Sequence, residues 1–223
     1  MGRPASPLLS VEGIAKAALK MVDRSGDFTI PALAAELGVR PSSLYNHVAG
    51  RADIVELMRG IASEHIRLPQ TQSDWYADIV EIYTQYRNSY ARHPRLIPLL
   101  TTHPVSHTAT TRMYNMLADV LTHAGFAPAE VLKVITTLDS FVLGAALDAA
   151  APEAVWAPGD EAETALAAAL ATIPPDTQQR ADEAFDYGLQ MMMNGLVWRH
   201  GSTKNVSAYF DPDAIPPRQP RWS

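Results

Sequence analysis

Apolar residues recur every three to four positions along most of the chain, which is the spacing of one face of an α-helix. Ile14, Leu19 and Val22 form the first such stripe; Ser10 precedes it as a capping residue and Gly26 ends it. No stretch alternates apolar and polar residues as a half-buried strand does. The pattern predicts an all-α protein with about nine or ten helices.

Capping residues, prolines and glycines set the expected helix boundaries. The second helix begins after Thr29, carries Pro31 in its first turn and ends at Gly38. Between residues 93 and 108, three prolines leave room only for short helices. The remaining predicted helices cover residues 41–48, 51–68, 74–93, 108–124, 129–148, 161–172 and 177–200.

Breaks in the helical pattern divide the chain into four parts. We expect an N-terminal unit of short helices at residues 1–50, a connecting helix at 51–68 and a larger helical domain at 69–205. The tail at 206–223 holds Pro212, Pro216, Pro217 and Pro220, and is too rich in proline to fold alone.

Composition excludes several classes of protein. The chain has 223 residues, of which 47% are hydrophobic, so a packed globule is expected rather than a disordered chain. No run of about 18 apolar residues exists, which predicts that the protein does not span a membrane. Cysteine is absent, so disulfides and thiolate metal sites are excluded, and a cytoplasmic location is expected.

The net charge of −6 is unevenly distributed. Residues 1–67 hold eight Lys and Arg against seven Asp and Glu, whereas residues 68–223 hold ten against seventeen. The acidity therefore lies in the C-terminal two-thirds. Arg40 and Arg51 are the only charged residues between positions 37 and 52. A small cationic surface on an acidic body is compatible with specific contact to DNA.

The second and third predicted helices have the pattern of a helix-turn-helix, with Gly38 in the tight turn. The apolar residues between Leu33 and Leu44 are spaced to pack the two helices together. Polar side chains cover the other faces of the third helix, and such a surface suits a DNA major groove. They are Ser42, Ser43, Tyr45, Asn46 and His47. A small helical hairpin with a solvated polar face is the alternative that these residues leave open.

The segment Thr29-Ile-Pro-Ala-Leu-Ala-Ala-Glu-Leu-Gly-Val-Arg-Pro-Ser-Ser-Leu-Tyr-Asn-His-Val48 resembles the DNA-binding domain of the tetracycline-repressor (TetR) family of transcriptional regulators. The resemblance covers about residues 11–65. It implies that Thr29 caps the second helix and touches phosphate, and that Ser42, Ser43 and Asn46 read bases. It also implies that Tyr45, His47 and Arg51 hold the DNA backbone. Arg40 stands where the family commonly has a capping serine; it cannot cap, but it could contact a phosphate.

The C-terminal part is similar to the same domain of tetracycline repressors in four short stretches. They are Leu121-Thr-His-Ala-Gly-Phe126, Phe141-Val-Leu-Gly-Ala-Ala-Leu147, Phe185-Asp-Tyr-Gly-Leu189 and Gly195-Leu196. The resemblance implies a homodimer held by a four-helix bundle, built from the helices at 129–148 and 177–198 of each subunit. The residues expected at that interface are Leu138, Val142, Ala145, Leu189, Met192, Met193 and Leu196. The alternative is that the methionines belong to the core of one subunit.

The resemblance also implies a small, hydrophobic effector bound within the C-terminal domain. Its expected contacts are His65, Tyr83, Tyr86, Tyr90, His103, Met113, Met116, Leu117 and Phe141. An aromatic stripe at helical spacing is equally typical of ordinary core. Tetracycline itself is not expected, because Leu99 stands where tetracycline repressors carry the histidine that binds the drug's magnesium, and Ile82 replaces an amide that orients the drug.

Other kinds of function fit the sequence less well. His103 and His107 have a spacing that could ligate zinc, but the intervening Pro104 favours an ordinary loop, so no metal and no cofactor are expected. The sequence lacks the Glu-x-x-His pairs, phosphate-binding loops and nucleophile motifs of enzymes, so no enzymatic activity is expected. A helical adaptor that binds another protein through its tyrosine-rich helix remains the alternative to a repressor that binds a near-palindromic, double-stranded operator.

Overall fold

The computed structural model describes residues 9–69, 74–151 and 155–200, and within these ranges the chain is helical with no strand. The all-α prediction is therefore confirmed. The helices are α1 (Val11–Ser25), α2 (Ile30–Glu36), α3 (Pro41–Leu44), α4 (Arg51–Ser63), α5 (Trp75–Ala91), α6 (Ile97–Leu100), α7 (Thr108–His123), α8 (Pro128–Asp148), α9 (Thr164–Leu170) and α10 (Thr177–His200), with 3-10 turns at Pro94–Leu96 and Gly159–Glu161. In the part of the chain so described, no helix has the length and apolar character needed to cross a bilayer.

Helices α1, α2 and α3 form the small N-terminal unit. Ser10 caps α1 by accepting a hydrogen bond of 3.0 Å from the Gly13 amide. The chain turns from α2 into α3 at Gly38, whose φ of 67° lies in the left-handed region that favours glycine. Ile14, Leu33 and Leu44 are fully buried between the three helices and α4.

Helix α4 joins this unit to the rest of the molecule. It packs along α1 on one side and contacts α5, α6 and α7 on the other. Ile54, Val55 and Met58 on α4 are fully buried. A displacement of α4 would therefore alter its packing against α1 and against α5, α6 and α7.

The end of α4 differs from the prediction of a helix that runs to residue 68. The helix ends at Ser63, because the amides of Glu64 and Ile66 bond to carbonyls three residues back, as in tight turns. The Gln85 side chain then fixes the backbone of Arg67, because it forms hydrogen bonds with both the N–H and the carbonyl of Arg67. Leu68 also precedes a proline, a position that disfavours helix.

The larger part of the molecule is a layered helix bundle. Helix α5 packs most extensively on α8, α7 lies against both, and α10 packs on α8 and also reaches α5, where Arg87 pairs with Asp182. Helix α9 is short, and none of its residues is buried against the described chain. The predicted tail at 206–223 lies outside the described residues, and the domain boundaries remain predictions.

Candidate DNA interface and effector site

The polar residues predicted to read DNA form an open edge on the N-terminal unit. Ser42, Asn46 and His47 are exposed, and the Tyr45 side chain is 57% exposed although Leu44 beside it is buried. Helix α3 covers only residues 41–44 rather than 41–48, because the amides of His47 and Val48 both bond back to the Leu44 carbonyl in a closing turn. Ser43 is half-buried. The arrangement presents donors and acceptors to an approaching partner without rearrangement of the fold.

Two further predicted contacts flank this edge. Thr29 caps α2 by accepting a hydrogen bond of 3.2 Å from the Ala32 amide, and it is exposed. Arg40 stands at the N-cap of α3, where its side chain makes no capping hydrogen bond within residues 9–69, and it is also exposed. Both side chains lie at helix N-termini, which attract anions such as phosphate.

Arg51 has a role inside the protein that its sequence position did not indicate. Its guanidinium donates hydrogen bonds to the Phe28 carbonyl and, at 2.6 Å, to the Asp27 carboxylate, and it lies 4.5 Å from the centre of the Phe28 ring. The hydrogen bond from Arg51 lowers the pKa of Asp27. Arg51 therefore fastens the loop between α1 and α2 to the start of α4, and a contact to DNA phosphate would compete with Asp27.

Five of the predicted effector contacts meet in the interior. Tyr83, Tyr86 and Tyr90 on α5 are fully buried, and the Tyr86 and Tyr90 rings meet edge to face with their centres 4.8 Å apart. Met113 and Leu117 on α7 are buried in the same core. We call Tyr83, Tyr86 and Tyr90 the tyrosine layer.

A buried carboxylate lies beside the tyrosine layer, and sequence reasoning missed it. Asp139 on α8 accepts a hydrogen bond of 2.7 Å from the Tyr114 hydroxyl through Oδ2. Its Oδ1 is buried and has no hydrogen-bond partner among the described residues. Burial raises the pKa of Asp139 to about 6, although the hydrogen bond from Tyr114 and the nearby Tyr83 hydroxyl oppose the rise. The available signal was its place within the apolar stripe of α8, four residues after Ile135 and three before Val142.

Hydroxyl groups extend this polar cluster towards α4. The Tyr90 and Ser63 hydroxyls are 3.2 Å apart, and Ser63 lies 3.4 Å from the Thr110 hydroxyl. The Tyr83 hydroxyl donates to the Ile135 carbonyl at 3.3 Å. The end of α4 is therefore joined by hydrogen bonds to both α5 and α7.

The other predicted effector contacts lie elsewhere or are less buried. His65 is exposed, because α4 ends before it, so the expectation that it lines an enclosed pocket is wrong for this structure. Phe141 stacks on Phe185 of α10 with ring centres 5.8 Å apart. His103 is half-buried, with Nδ1 2.8 Å from the Leu99 carbonyl, and Met116 is half-buried.

Two of the cavities in the groove between α8 and α10 have volumes of about 410 Å³ and about 360 Å³. The larger is lined by Phe126, Glu130, Lys133, Val134, Thr137, Leu138, Met192, Gly195, Leu196 and Arg199. The smaller is lined by Ser140, Phe141, Gly144, Ala145, Asp148, Ala181, Ala184 and Phe185. Neither cavity includes the tyrosine layer, and both open on the face predicted to meet a second subunit.

The predicted dimer contacts divide into two groups. Leu138, Val142, Leu189 and Met193 are buried within one subunit and form part of its core, although Leu138 also lines the larger cavity. This corrects the sequence prediction for Val142, Leu189 and Met193, because their side chains are already packed within one subunit. Ala145, Met192 and Leu196 are half-buried and border the cavities. Large apolar side chains exposed on the two helices are Leu132, Leu147, Tyr187, Met191 and Trp198.

A charged pair on α4 holds the segment that joins α6 to α7. Glu56 accepts hydrogen bonds from the amides of Ser106, at 2.6 Å, and His107, at 2.9 Å. Arg59 bonds to Glu56 at 2.7 Å and donates to the carbonyls of Leu100 and His103, both at 3.1 Å. We call Glu56 and Arg59 the α4 latch.

The α4 latch is deeply placed, since Glu56 is 7% exposed and Arg59 is 4% exposed. Burial alone would raise the pKa of Glu56, but its hydrogen bonds from the Ser106 amide, Arg59 and the His107 amide hold that pKa below its ordinary value. The carboxylate is therefore charged at neutral pH, and loss of either partner would leave a buried charge uncompensated.

Helix α4 also makes a close approach to the start of α7 at Gly60. A Cβ atom placed on Gly60 would lie 2.2 Å from Cε1 of the His107 ring, so the ring fits only against glycine. His107 also accepts a hydrogen bond from the Ala109 amide through Nδ1, as the cap of α7. Among the residues that the structure describes, no three His, Cys, Asp or Glu side chains are grouped to hold a metal ion.

Comparison with known proteins places this architecture in a family. Residues 68–199 match the family model described as "Tetracyclin repressor-like, C-terminal domain". An HTH-type transcriptional regulator of Saccharopolyspora erythraea is 30% identical over 166 residues, which cover 73% of this chain and 69% of that protein.

Solved structures share the fold. The Streptomyces coelicolor TetR family protein ActR, in complex with actinorhodin, matches with a TM-score of 0.70 at 19% identity, over 88% of this chain and 99% of that one. BioQ with its double-stranded DNA operator matches with a TM-score of 0.60 at 23% identity, over 84% of this chain and 98% of that one. With the helix-turn-helix unit and the matched C-terminal domain, these findings show that the chain belongs to the TetR family of transcriptional regulators.

Proposed function

We propose that this protein is a homodimeric repressor that binds a near-palindromic DNA operator and leaves it when a small hydrophobic effector enters the C-terminal domain. The observation that carries the proposal is the open polar edge of residues 42–47 on the N-terminal unit, which one continuous helix, α4, ties to the interior of the larger domain. We place its action in the cytoplasm, which a chain without cysteine suits.

Each group on the polar edge has a proposed contact. Asn46 can bond to adenine through both its donor and its acceptor, and Ser42 and Ser43 can approach bases or phosphates. Tyr45 and His47 are exposed and can donate to phosphate oxygens. Thr29, Arg40 and Arg51 add phosphate contacts, and for Arg51 the Asp27 carboxylate competes with the phosphate for its charge.

A pair of subunits places one polar edge in each of two successive major grooves. We propose that α8 and α10 of each subunit form the contact, through the half-buried Ala145, Met192 and Leu196 and the exposed apolar side chains around them. Burial of exposed Met191 and Trp198 supplies apolar area, and the groove with these two cavities gives a partner helix room to enter.

The effector site is proposed at the tyrosine layer, between α5, α7 and α8. ActR, which has the same fold, holds actinorhodin. An effector that displaces α7 would also shift the segment at 101–107. Because the α4 latch bonds to this segment, α4 would move with it and reposition the N-terminal unit. Couplings of this type are typically about 1–3 kcal/mol, so release from DNA by about 5–150-fold is the expected scale.

The proposal is tested with operator DNA enriched from random duplexes by the intact protein. In an anisotropy titration, Asn46→Ala should weaken binding by about 5–150-fold, as expected for loss of a bidentate base contact worth about 1–3 kcal/mol. Asn115→Ala, a matched change at an exposed position on α7, should leave affinity unchanged. Equal affinity of both variants, or failure to enrich any DNA, would contradict the proposal and favour a protein-binding adaptor.

A further inference from the structure

Asp139 is an acidic group whose surroundings leave it without a matching positive charge. Its Oδ1 is buried and unbonded within the described chain, while Tyr114 satisfies Oδ2. Arg59 is the cation whose charge acts on it, but the Arg59 guanidinium is already bonded to Glu56 and to two backbone carbonyls. A buried carboxylate with an open acceptor position attracts a cationic donor.

The side chains around Asp139 are those that favour organic cations. Tyr114 bonds to it, Tyr83 interacts with it, and Tyr86 lies beside Tyr83 with ring centres 6.2 Å apart. The faces of tyrosine rings attract cations within about 6 Å. The chain from residue 68 onwards carries ten Lys and Arg against seventeen Asp and Glu, and this negative field favours the approach of cations over anions.

Asp139 is also close to a route from solvent. Both Asp139 and Tyr114 are half-buried as whole residues, although Oδ1 is fully buried. The carboxylate therefore lies about one side chain below the surface. Rotation of Tyr114 away from Oδ2 would expose the carboxylate to a ligand from solvent. A ligand N–H group could then replace the Tyr114 hydroxyl and also use the open Oδ1.

Resting on the effector site proposed above, we propose that Asp139 is the anchoring group of that site and that the effector is an aromatic organic cation, such as a protonated amine. A neutral aromatic ligand would leave the carboxylate uncompensated, and an anionic one would be repelled by it. The ligand's ring would contact the tyrosine layer and its cationic nitrogen would bond to Asp139.

Three probes with one ring system and different charges test this inference: 2-naphthylmethylamine, 2-naphthylmethanol and 2-naphthoate. In calorimetric titrations of the full chain at pH 7.5, the amine should bind at least about tenfold more tightly than the alcohol, with the carboxylate weakest. Asp139→Asn should abolish the preference for the amine. Asp119→Asn, a matched change at an exposed position on α7, should retain it.

Tyr114→Phe provides a second variant that keeps the carboxylate, and it should also retain the preference for the amine. Equal binding of amine and alcohol, tighter binding of 2-naphthoate, a preference that survives Asp139→Asn, or no binding of the amine at about 1 mM would each overturn the inference. Operator binding is measured on the same samples. A protein that binds its operator but shows no cation preference refutes the anchor alone, whereas failure to bind DNA refutes the proposed function.

Discussion

At the scale of single residues, the roles of Arg51 and Asp139 depend on partners that are distant in the chain. Arg51 bonds to a loop 24 residues earlier, and Asp139 bonds to Tyr114, 25 residues earlier. A helical pattern identifies the face on which a residue lies, but not the group that meets it there. The exposed edge at Ser42, Tyr45 and Asn46 could be predicted from sequence, because the spacing around buried Leu44 determines which positions face outwards.

Replacement of Asp139 by Asn should stabilise the protein above neutral pH. The pKa of Asp139 is raised from 3.8 to about 6 in the folded protein, so stability falls as pH rises through this interval and stays lower above it. The uncharged amide of the variant does not lose stability in this way, and its oxygen still accepts a hydrogen bond from the Tyr114 hydroxyl. In urea denaturation it should gain about 1–3 kcal/mol at pH 7.5 and progressively less towards pH 4. A gain that does not change with pH, or a loss of stability, would contradict burial of the charge.

At the scale of secondary-structure elements, the long helices follow closely from the sequence, and the errors lie at ends fixed by tertiary contacts. The bounds of helices α5, α7, α8 and α10 lie within two residues of those predicted. Helix α4 is five residues shorter than predicted, because Gln85 holds the backbone of Arg67 in a non-helical conformation. The α4 latch could not be predicted either, since its partners are backbone groups of the segment between α6 and α7.

The close approach of α4 and α7 predicts that removal of the His107 ring restores stability lost in Gly60→Ala. Gly60→Ala should destabilise the protein by about 1–3 kcal/mol, because the new methyl group overlaps the His107 ring. His107→Ala removes the ring, so the double variant should lose much less stability than the sum of the two single changes. Denaturation of all four proteins gives the coupling. Additive losses would show that Gly60 and His107 do not constrain each other.

At the scale of the whole molecule, α8 and α10 carry large apolar side chains that the described residues leave exposed. Four predicted dimer residues turn out to be core, while Tyr187, Met191 and Trp198 project from α10. Trp198 is 82% exposed, and burial of such a side chain is a common source of strong interface contacts. The assignment of the dimer contact to α8 and α10 stays a prediction, but burial within one subunit shows that several of the residues named for it face the core.

The dimer is tested by a matched pair of tryptophan variants. Trp198→Asp should raise the dimer dissociation constant about thirtyfold or more, corresponding to a loss of about 2 kcal/mol or more, as measured by analytical ultracentrifugation. Trp156→Asp alters a second exposed tryptophan, in the loop before α9, and should leave the dimer intact. An unchanged dimer in Trp198→Asp would exclude this part of α10 from the interface.

The most direct test of the central claim is a chemical footprint of the intact protein on its enriched operator. Two subunits with exposed polar edges should protect two patches of major-groove guanine N7 atoms, centred about 10 base pairs apart on one side of the duplex. Asn46→Ala should weaken both patches together. A single protected patch, protection confined to the minor groove, or no protection at saturating protein would contradict the account.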